Sequence, residues 1–302
     1  MKAIQVQTPG DAGVLQTVDI PRPVPKEGEV LVRIEAIGVN YIDVYHRSGL
    51  YKLPLPFIPG SEAAGVVEET GQRVGWAMVP GSYAEYAAVP ESKLVPLPPS
   101  IDARIAAASL LQGMTAHYLA TSTFALRPGQ RALVHAAAGG AGGLLVQMAK
   151  QRGATVVATA SASKHDEVRE LGADEVFDYA DDAWSRSNVD VAYDSVGRTT
   201  FDRSLDALAV RGMLVLYGQS SGPVPPVDPA RLAKKAAYLT RPSLGHYTAT
   251  REELLWRAQE LFAGIESGAL RVRIDRELPL ADAAEAHRLL ESRTTRGKLL
   301  LV

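Results

Sequence analysis

The spacing Ala136-x-x-Gly139-x-x-Gly142 is where this chain most plainly carries chemistry. Leu133 and Val134 enter it as a buried strand would, and Leu144, Leu145, Met148 and Ala149 leave it at helical spacing. A strand, a glycine turn and a helix start bring backbone N–H groups close to a pyrophosphate, and the helix N-terminus adds partial positive charge. Gly139, Gly140 and Gly142 form the cradle in this reading; a tight turn that binds nothing fits the same glycines. The next strand, Thr155–Thr159, selects the nucleotide. An NAD site sets Asp or Glu about 20 residues past the glycines, on the ribose 2′-hydroxyl. Here the chain reads Thr159-Ala-Ser-Ala-Ser-Lys164, with no carboxylate. Ser161 and Lys164 suit a 2′-phosphate, so the expected cofactor is NADPH rather than NADH. Ser161 and Ser163 also fit caps for a helix starting near Lys164, and Lys164 alone also fits a solvated surface charge.

These residues need elements to hold them, and 302 residues at 46% hydrophobic supply cores for two domains. From Met1 to about Pro99 the text is β-rich, with strands expected at Val30–Val39 and Ala63–Glu68 and prolines between them. Short spacing without helices predicts a barrel-like β domain. Ala103–Ala120 reads as a helix. From Gln130 to Tyr238 strands alternate with helices: Val176-Phe177, Val189–Tyr193 and Met213–Tyr217 as strands, Thr199–Leu208 as a helix. Such alternation predicts an α/β fold, a doubly wound parallel sheet with helices on both faces. Glu252–Phe262 is an amphipathic helix.

Composition excludes other classes. Net charge is −2 with no basic stripe, so no nucleic-acid partner is expected. No run of about 18 apolar residues appears, so no membrane span is expected. The start, Met-Lys-Ala-Ile-Gln-Val-Gln, alternates like a strand and lacks the apolar core of a signal peptide; a soluble cytoplasmic protein is the default. Cysteine is absent, which removes disulfides, thiolate metal sites and a cysteine nucleophile. The six histidines are scattered with none paired at metal-ligand spacing, so no metal is expected.

Longer motifs carry a resemblance. They are Ala36-Ile-Gly-Val-Asn-Tyr-Ile-Asp-Val-Tyr45, Arg47-Ser-Gly-Leu-Tyr51, Phe57-Ile-Pro-Gly-Ser-Glu-Ala-Ala-Gly-Val-Val67, Leu111-Gln-Gly-Met-Thr-Ala116, Asp190-Val-Ala-Tyr-Asp-Ser-Val-Gly197, Thr240-Arg-Pro-Ser-Leu244, Tyr247-Thr-Ala-Thr-Arg-Glu-Glu-Leu254 and Leu290-Glu-Ser-Arg-Thr-Thr-Arg-Gly-Lys298. With the glycine turn they span nearly the whole chain. In them it resembles the quinone oxidoreductase (zeta-crystallin-like) family, a zinc-free branch of the medium-chain dehydrogenase/reductase superfamily. The resemblance implies a discontinuous GroES-like catalytic domain, residues 1–108 and 245–302, beside a Rossmann NADP-binding domain, residues 109–244, with the active site in the cleft between them.

It also implies residue roles. Asn40 would hydrogen-bond substrate or nicotinamide, and Tyr45 would orient the substrate oxygen or donate a proton. Thr115 would lie near the nicotinamide ribose. Ser161, Lys164, Tyr179 and Arg293 would hold the 2′-phosphate, and Asp194 and Gly218 would end strands facing the cofactor. Relatives of this branch pair through the last strand of the nucleotide domain, here near Ala236–Thr240, so a homodimer is expected. Read without the family, Asn40 fits a turn, Tyr45 and Tyr179 fit packing, Thr115 fits a helix hydroxyl bonded to its own backbone, and Gly218 fits a strand-ending turn. Asp43 fits a helix cap, and Glu62 a loop support.

Zinc-dependent relatives carry Cys-x-x-Asp and Gly-His-Glu where this chain reads Asn40-Tyr-Ile-Asp43 and Gly60-Ser-Glu62. Reducing a simple ketone makes an alkoxide that wants a Lewis acid. Reducing a quinone makes an aromatic oxyanion, close to a phenol of pKa about 10. Reducing an activated alkene conjugated to a carbonyl is likewise possible without metal, and the family resemblance tilts toward quinones: the activity it implies is NADPH-dependent quinone reduction with no flavin. Two alternatives are an NADPH-dependent enone or enoyl reductase on the same scaffold and a low-turnover NADPH-binding protein with a structural role. Between Val66–Thr70 and Gln72–Val74 the chain is shorter than most relatives, and Trp76–Ser82 departs from their usual sequence; both bear on substrate preference.

Overall fold

The computed structural model describes residues 1–302. The chain divides into one unit of Met1–Met114 with Thr248–Val302, and a second of Thr115–Tyr247. In order it first forms β1 (Lys2–Gln5), β2 (Gln16–Asp19), β3 (Glu29–Val39), α1 (Tyr41–Arg47), β4 (Glu62–Val67), β5 (Arg73–Ala77), β6 (Tyr86–Pro90), β7 (Val95–Pro96) and α2 (Ala103–Tyr118). The middle carries β8 (Arg131–Val134), α3 (Gly140–Gln151), β9 (Thr155–Thr159), α4 (His165–Glu170), β10 (Glu175–Phe177), β11 (Val189–Asp194), α5 (Phe201–Ala207), β12 (Leu208–Leu216), α6 (Ala230–Ala233), β13 (Tyr238–Thr240) and α7 (Leu244–Tyr247). The last stretch adds α8 (Arg251–Glu266), β14 (Ile274–Leu278), α9 (Ala283–Glu291) and β15 (Lys298–Leu301).

In the second unit the six strands are parallel, in the order β10-β9-β8-β11-β12-β13. Chain order reverses between β8 and β11, and that crevice is where doubly wound sheets take ligands. The central strands are apolar on both faces because helices cover both sides. Leu133, Val157, Ala192 and Leu214 pack in one core with Trp184 and Phe201, and each large apolar side chain so buried contributes about 1.5–3 kcal/mol.

Two elements differ from the sequence reading. The helix expected to Ala120 ends at Tyr118 and widens into a π-helical turn, Leu119–Thr123. There the Tyr193 hydroxyl donates to the Leu119 and Phe124 carbonyls at 3.1 and 3.3 Å, which occupies acceptors at the end of the helix. The strand expected at Met213 begins at Leu208, because Leu208 already pairs with Val189; α5 therefore stops at Ala207.

The first unit holds a seven-stranded sheet, ordered β14-β15-β3-β4-β5-β7 with β6 also paired to β3, and a β1–β2 hairpin. Its core gathers Ile4, Val32, Val74, Trp76, Tyr83 and Leu299. β15 runs antiparallel to β3, with Leu299 opposite Val39 and Leu300 opposite Gly38. This register sets Lys298, the residue before Leu299, beside Asn40, the residue after Val39. α8 starts where Thr250 Oγ1 accepts the Glu253 N–H at 3.1 Å, and Glu252 and Glu253 lie against the positive end of the helix dipole. No helix is long and apolar enough to cross a membrane.

Candidate active site

β8 runs through a short turn into α3, and Gly139 caps that helix in an extended conformation. The first N–H groups of any helix lack intrahelical partners. A side chain at Gly139 would have only the Ala136 carbonyl near it, at 3.1 Å, so the approach to those N–H groups is open. Gly142 is needed for another reason: a Cβ there would collide with the Ala136 carbonyl. Ala136 itself sits at φ 52°, the left-handed region that favours glycine. Gly218, just past β12, would put a Cβ 2.6 Å from the Ser195 carbonyl oxygen.

The loop after β9 carries Ser161 and Lys164. Ser161 opens a 3₁₀ turn, Ala162–Lys164, without a side-chain cap bond, so its exposed hydroxyl does not do the capping that the sequence also allowed. Lys164 is buried rather than solvated. The Ala162 N–H goes to Asp178 Oδ2 at 3.1 Å, and Asp178 Oδ1 accepts the Ala180 N–H at 3.0 Å. Tyr179 is fixed through its carbonyl, which accepts from Arg203 Nη1 at 2.7 Å and Trp184 Nε1 at 3.3 Å. Its ring lies 6.4 Å from that of His135, near parallel. Thr115 is buried in α2. Arg293 belongs to the first unit; it follows α9 at φ 60° and bonds the Tyr41 hydroxyl. With no carboxylate at the end of β9 and an open helix N-terminus, the second unit fits a dinucleotide bearing a 2′-phosphate.

Beneath that surface runs a buried polar network. His135 Nδ1 meets Thr159 Oγ1 at 2.7 Å, and Nε2 meets Ser204 Oγ at 2.9 Å. Ser204 donates to Asp194 Oδ2 at 2.9 Å. Asp194 Oδ1 also accepts the N–H groups of Val196 and Gly197, and the Thr200 hydroxyl lies within 2.9 Å of both Asp194 oxygens. Asp194 thus shapes the loop after β11 from inside. Burial holds His135 below the usual imidazole range, with Asp194 opposing the shift.

In the first unit Asn40 caps α1, and the Asp43 carboxylate accepts the Asn40 N–H at 2.9 Å. The Asn40 side chain is wholly engaged as a donor: Nδ2 gives to the Gly38 carbonyl at 3.0 Å and to Glu62 Oε2 at 2.9 Å. Its Oδ1 accepts from Lys298 Nζ at 2.6 Å, which leaves one lone pair for any ligand. One turn into α1, Tyr45 packs against Tyr41 and Tyr51, with ring centroids at 5.9 and 5.2 Å. Tyr51 and Leu50 are exposed beside it.

Asp43 continues a second chain of contacts. Ser61 Oγ donates to Asp43 Oδ1 at 2.8 Å and Tyr83 to Oδ2 at 3.2 Å. The Tyr83 oxygen lies 3.0 Å from His287 Nε2, and His287 Nδ1 lies 3.3 Å from Arg47 Nη1. Arginine only donates, so Nδ1 accepts, Nε2 carries the hydrogen, and the bonds run from Arg47 to Asp43 in one direction. Arg47 closes the chain on Glu291 with bonds of 2.8 and 2.9 Å. Burial pushes Asp43 up to about 6, against its hydrogen bonds and Lys298. Burial, then the Arg47 charge, push His287 down to about 3. No three His, Asp or Glu side chains are grouped to hold a metal ion.

Comparison with known proteins identifies the architecture. Residues 26–99 match the alcohol dehydrogenase GroES-like domain, and residues 171–301 match the zinc-binding dehydrogenase domain. The chain is 42% identical to a quinone oxidoreductase of Pseudomonas aeruginosa over 322 aligned positions, covering 100% of this chain and 99% of the relative. The chain belongs to the quinone oxidoreductase family. Another relative, the 2-haloacrylate reductase of a Burkholderia species, is 36% identical over 97% of this chain and 95% of its own. The Escherichia coli quinone oxidoreductase complexed with NADPH superposes at a TM-score of 0.97 with 41% identity over all of both chains. A mycobacterial protein complexed with NADPH gives 0.97 and 47%, again over all of both chains.

Within this quinone oxidoreductase scaffold, sequence reasoning missed Lys298, Tyr83, His287, Arg47 and Asp178. Only Lys298 left a signal, a charge opening the otherwise apolar strand Lys298-Leu-Leu-Leu301. Glu62, expected as a loop support, instead opens β4 fully buried and ties Lys298, Asn40 and the Leu111 N–H together.

Proposed function

We propose that this protein is a zinc-independent, NADPH-dependent quinone reductase. The observation that carries this reading is the open N-terminus of α3, with a serine and a lysine in place of a carboxylate after β9. Full-length relatives named quinone oxidoreductases and similar proteins complexed with NADPH support it. The backbone at Gly139, Gly140 and Gly142 receives the pyrophosphate. Ser161, Lys164, Tyr179 and Arg293 receive the 2′-phosphate, and Thr115 and Gly218 border the nicotinamide end. NADPH, when bound, supplies the hydride.

The Tyr41, Tyr45 and Tyr51 rings offer a face to a flat conjugated acceptor, and Tyr45 orients its oxygen. Asn40, with both amide hydrogens committed, serves as an acceptor toward a ligand rather than as a donor. The product oxyanion is stabilised by its own aromatic ring, near a phenol's pKa of about 10, so hydrogen bonding suffices without a Lewis acid. We further propose a homodimer through β13, an edge strand on which Tyr238 is 58% exposed. Work in the cytoplasm belongs to the same proposal: a cysteine-free chain has no need of an oxidising compartment.

The test is oxidation of NADPH, with NADH in parallel, by ortho- and para-quinones, enones and enoyl thioesters. Quinones should be the fast acceptors and NADPH the preferred donor. Lys164→Ala should weaken NADPH binding about 10- to 100-fold by removing a charge-assisted phosphate contact, and leave NADH binding unchanged. Activity confined to enones, or equal use of NADH, would overturn the reading. Light scattering at the mass of one chain would remove the dimer.

A further inference from the structure

A buried ammonium sits in the first unit with no part in the chemistry so far. Lys298 has a side chain only 1% exposed, and its partner Glu62 is 0% exposed. Lys298 Nζ donates to Glu62 Oε2 and to Asn40 Oδ1, both at 2.6 Å. Glu62 accepts in addition from Asn40 Nδ2 at 2.9 Å and, through Oε1, from the Leu111 N–H of α2 at 2.6 Å. Gly38 shows how closely the group is packed. A Cβ there would collide with the Glu62 carboxylate, the Lys298 Cε and the Ala107 carbonyl, so the strand opposite β15 is bare where the pair sits.

Stability alone does not account for such a pair. Removing both charges from water costs several kcal/mol per ion, and apolar residues of similar volume often serve stability as well or better. What the pair does supply is orientation. Lysine only donates and a carboxylate only accepts. Lys298 therefore fixes which end of the Asn40 amide is oxygen, and Glu62 fixes the other end as nitrogen. Asn40 is also the residue that starts α1, the helix carrying Tyr45.

We propose that Lys298, paired with Glu62, is a positioning residue of the reductase site: it locks the side chain of Asn40, the residue from which the helix presenting Tyr45 starts. The inference rests on the assignment of Asn40 and Tyr45 to the acceptor. The lock has two consequences. Asn40 reaches a ligand only through the remaining lone pair of Oδ1, and the C-terminal strand is part of the site although it touches no reacting atom.

Four measurements on the full chain test it. In the wild-type protein, amide NMR should show slow solvent exchange of the Asn40 Nδ2 hydrogens; exchange at the rate of an exposed asparagine overturns the lock whatever the protein reduces. Lys298→Met and Glu62→Gln each strand one buried charge and should lower Tm by about 10 °C. The double variant removes both charges and should regain most of that Tm. Its kcat/KM for a para-quinone should still be down at least tenfold, carried by KM, with the NADPH Kd within twofold of wild type. If the double variant does not fold, Glu62→Asp, which keeps both charges and withdraws the carboxylate by one methylene, should show the same rise in KM. An unchanged KM in the folded variant, with kcat either intact or reduced only in step with the folded fraction, would make the pair purely structural and overturn the proposal. Absence of quinone turnover in wild type would instead sink the proposed function while leaving the exchange measurement to judge the lock.

Discussion

The two units each bury a polar network, and they differ in charge. In the second unit one carboxylate, Asp194, is surrounded by neutral donors: two backbone N–H groups and the hydroxyls of Thr200 and Ser204. In the first unit, charges of both signs are buried together: Lys298 against Glu62, and Arg47 reaching Asp43 through His287 and Tyr83. The neutral shell shapes a loop after a strand, where the donors lie within ten residues of Asp194. The charged network joins segments far apart in the chain, where a lysine, a glutamate and an asparagine can fix one another's orientation. Burial moves Asp43 up to about 6 and His287 down to about 3, so the charged network responds to pH between those values.

The largest effect should come from cutting the neutral network at its hub. Asp194→Ala leaves at least four buried donors without their acceptor, at about 1–3 kcal/mol each and less than additively. A loss of about 4 kcal/mol is expected in urea unfolding. A loss under about 1 kcal/mol would mean that the loop after β11 is held by something else.

The next effect tests the pH response of the charged network. His287 has its folded pKa pushed down to about 3 from 6.5. The unfolded chain therefore binds the proton first, and this stabilisation is full above pH 6.5 and is lost as pH falls toward 3. Asp43 has the opposite sign: its folded pKa is raised to about 6 from 3.8, so its protonation favours the native state as pH falls through 6. Between pH 7.5 and 5, the His287 contribution amounts to about 2 kcal/mol. His287→Gln should reduce the acid-induced loss of stability over that range by about this amount, and Asp43→Asn should increase it. Equal acid profiles for wild type and His287→Gln would break the comparison.

The smallest effect lies beside the second network. Ala136 adjoins His135 and occupies the left-handed region at φ 52°, a strain of about 1–2 kcal/mol for a residue with a Cβ. Ala136→Gly should raise stability by about 0.5–1 kcal/mol, the relief being offset in part by the freer unfolded chain. Thermal unfolding measures it, and a fall in Tm would show that the methyl is held by packing.

Much of this molecule is local and was legible. The glycine turn, the strand before it and the apolar helix after it are one continuous stretch, so spacing alone assigned β8, α3 and the parallel class of the sheet. Ser161 and Lys164 were readable as a candidate phosphate pair because they follow β9 directly. Asn40 was readable as a polar residue after a strand, but its hydrogen-bonding state was not. Its partners Glu62 and Lys298 lie 22 and 258 positions away.

The sequence by itself determined the alternation of strands and helices, the absence of cysteine chemistry and the nucleotide that the loop after β9 suits. Each of these depends on residue type and on spacings of a few residues. Only the tertiary structure decided that Lys298 is buried, that Asn40 has no hydrogen left to donate, and that His287 links Arg47 to Tyr83. Burial and hydrogen-bond partnership depend on which strands pair. The pairing of the last strand with β3 closes more than 250 residues of chain, a contact that no local pattern encodes.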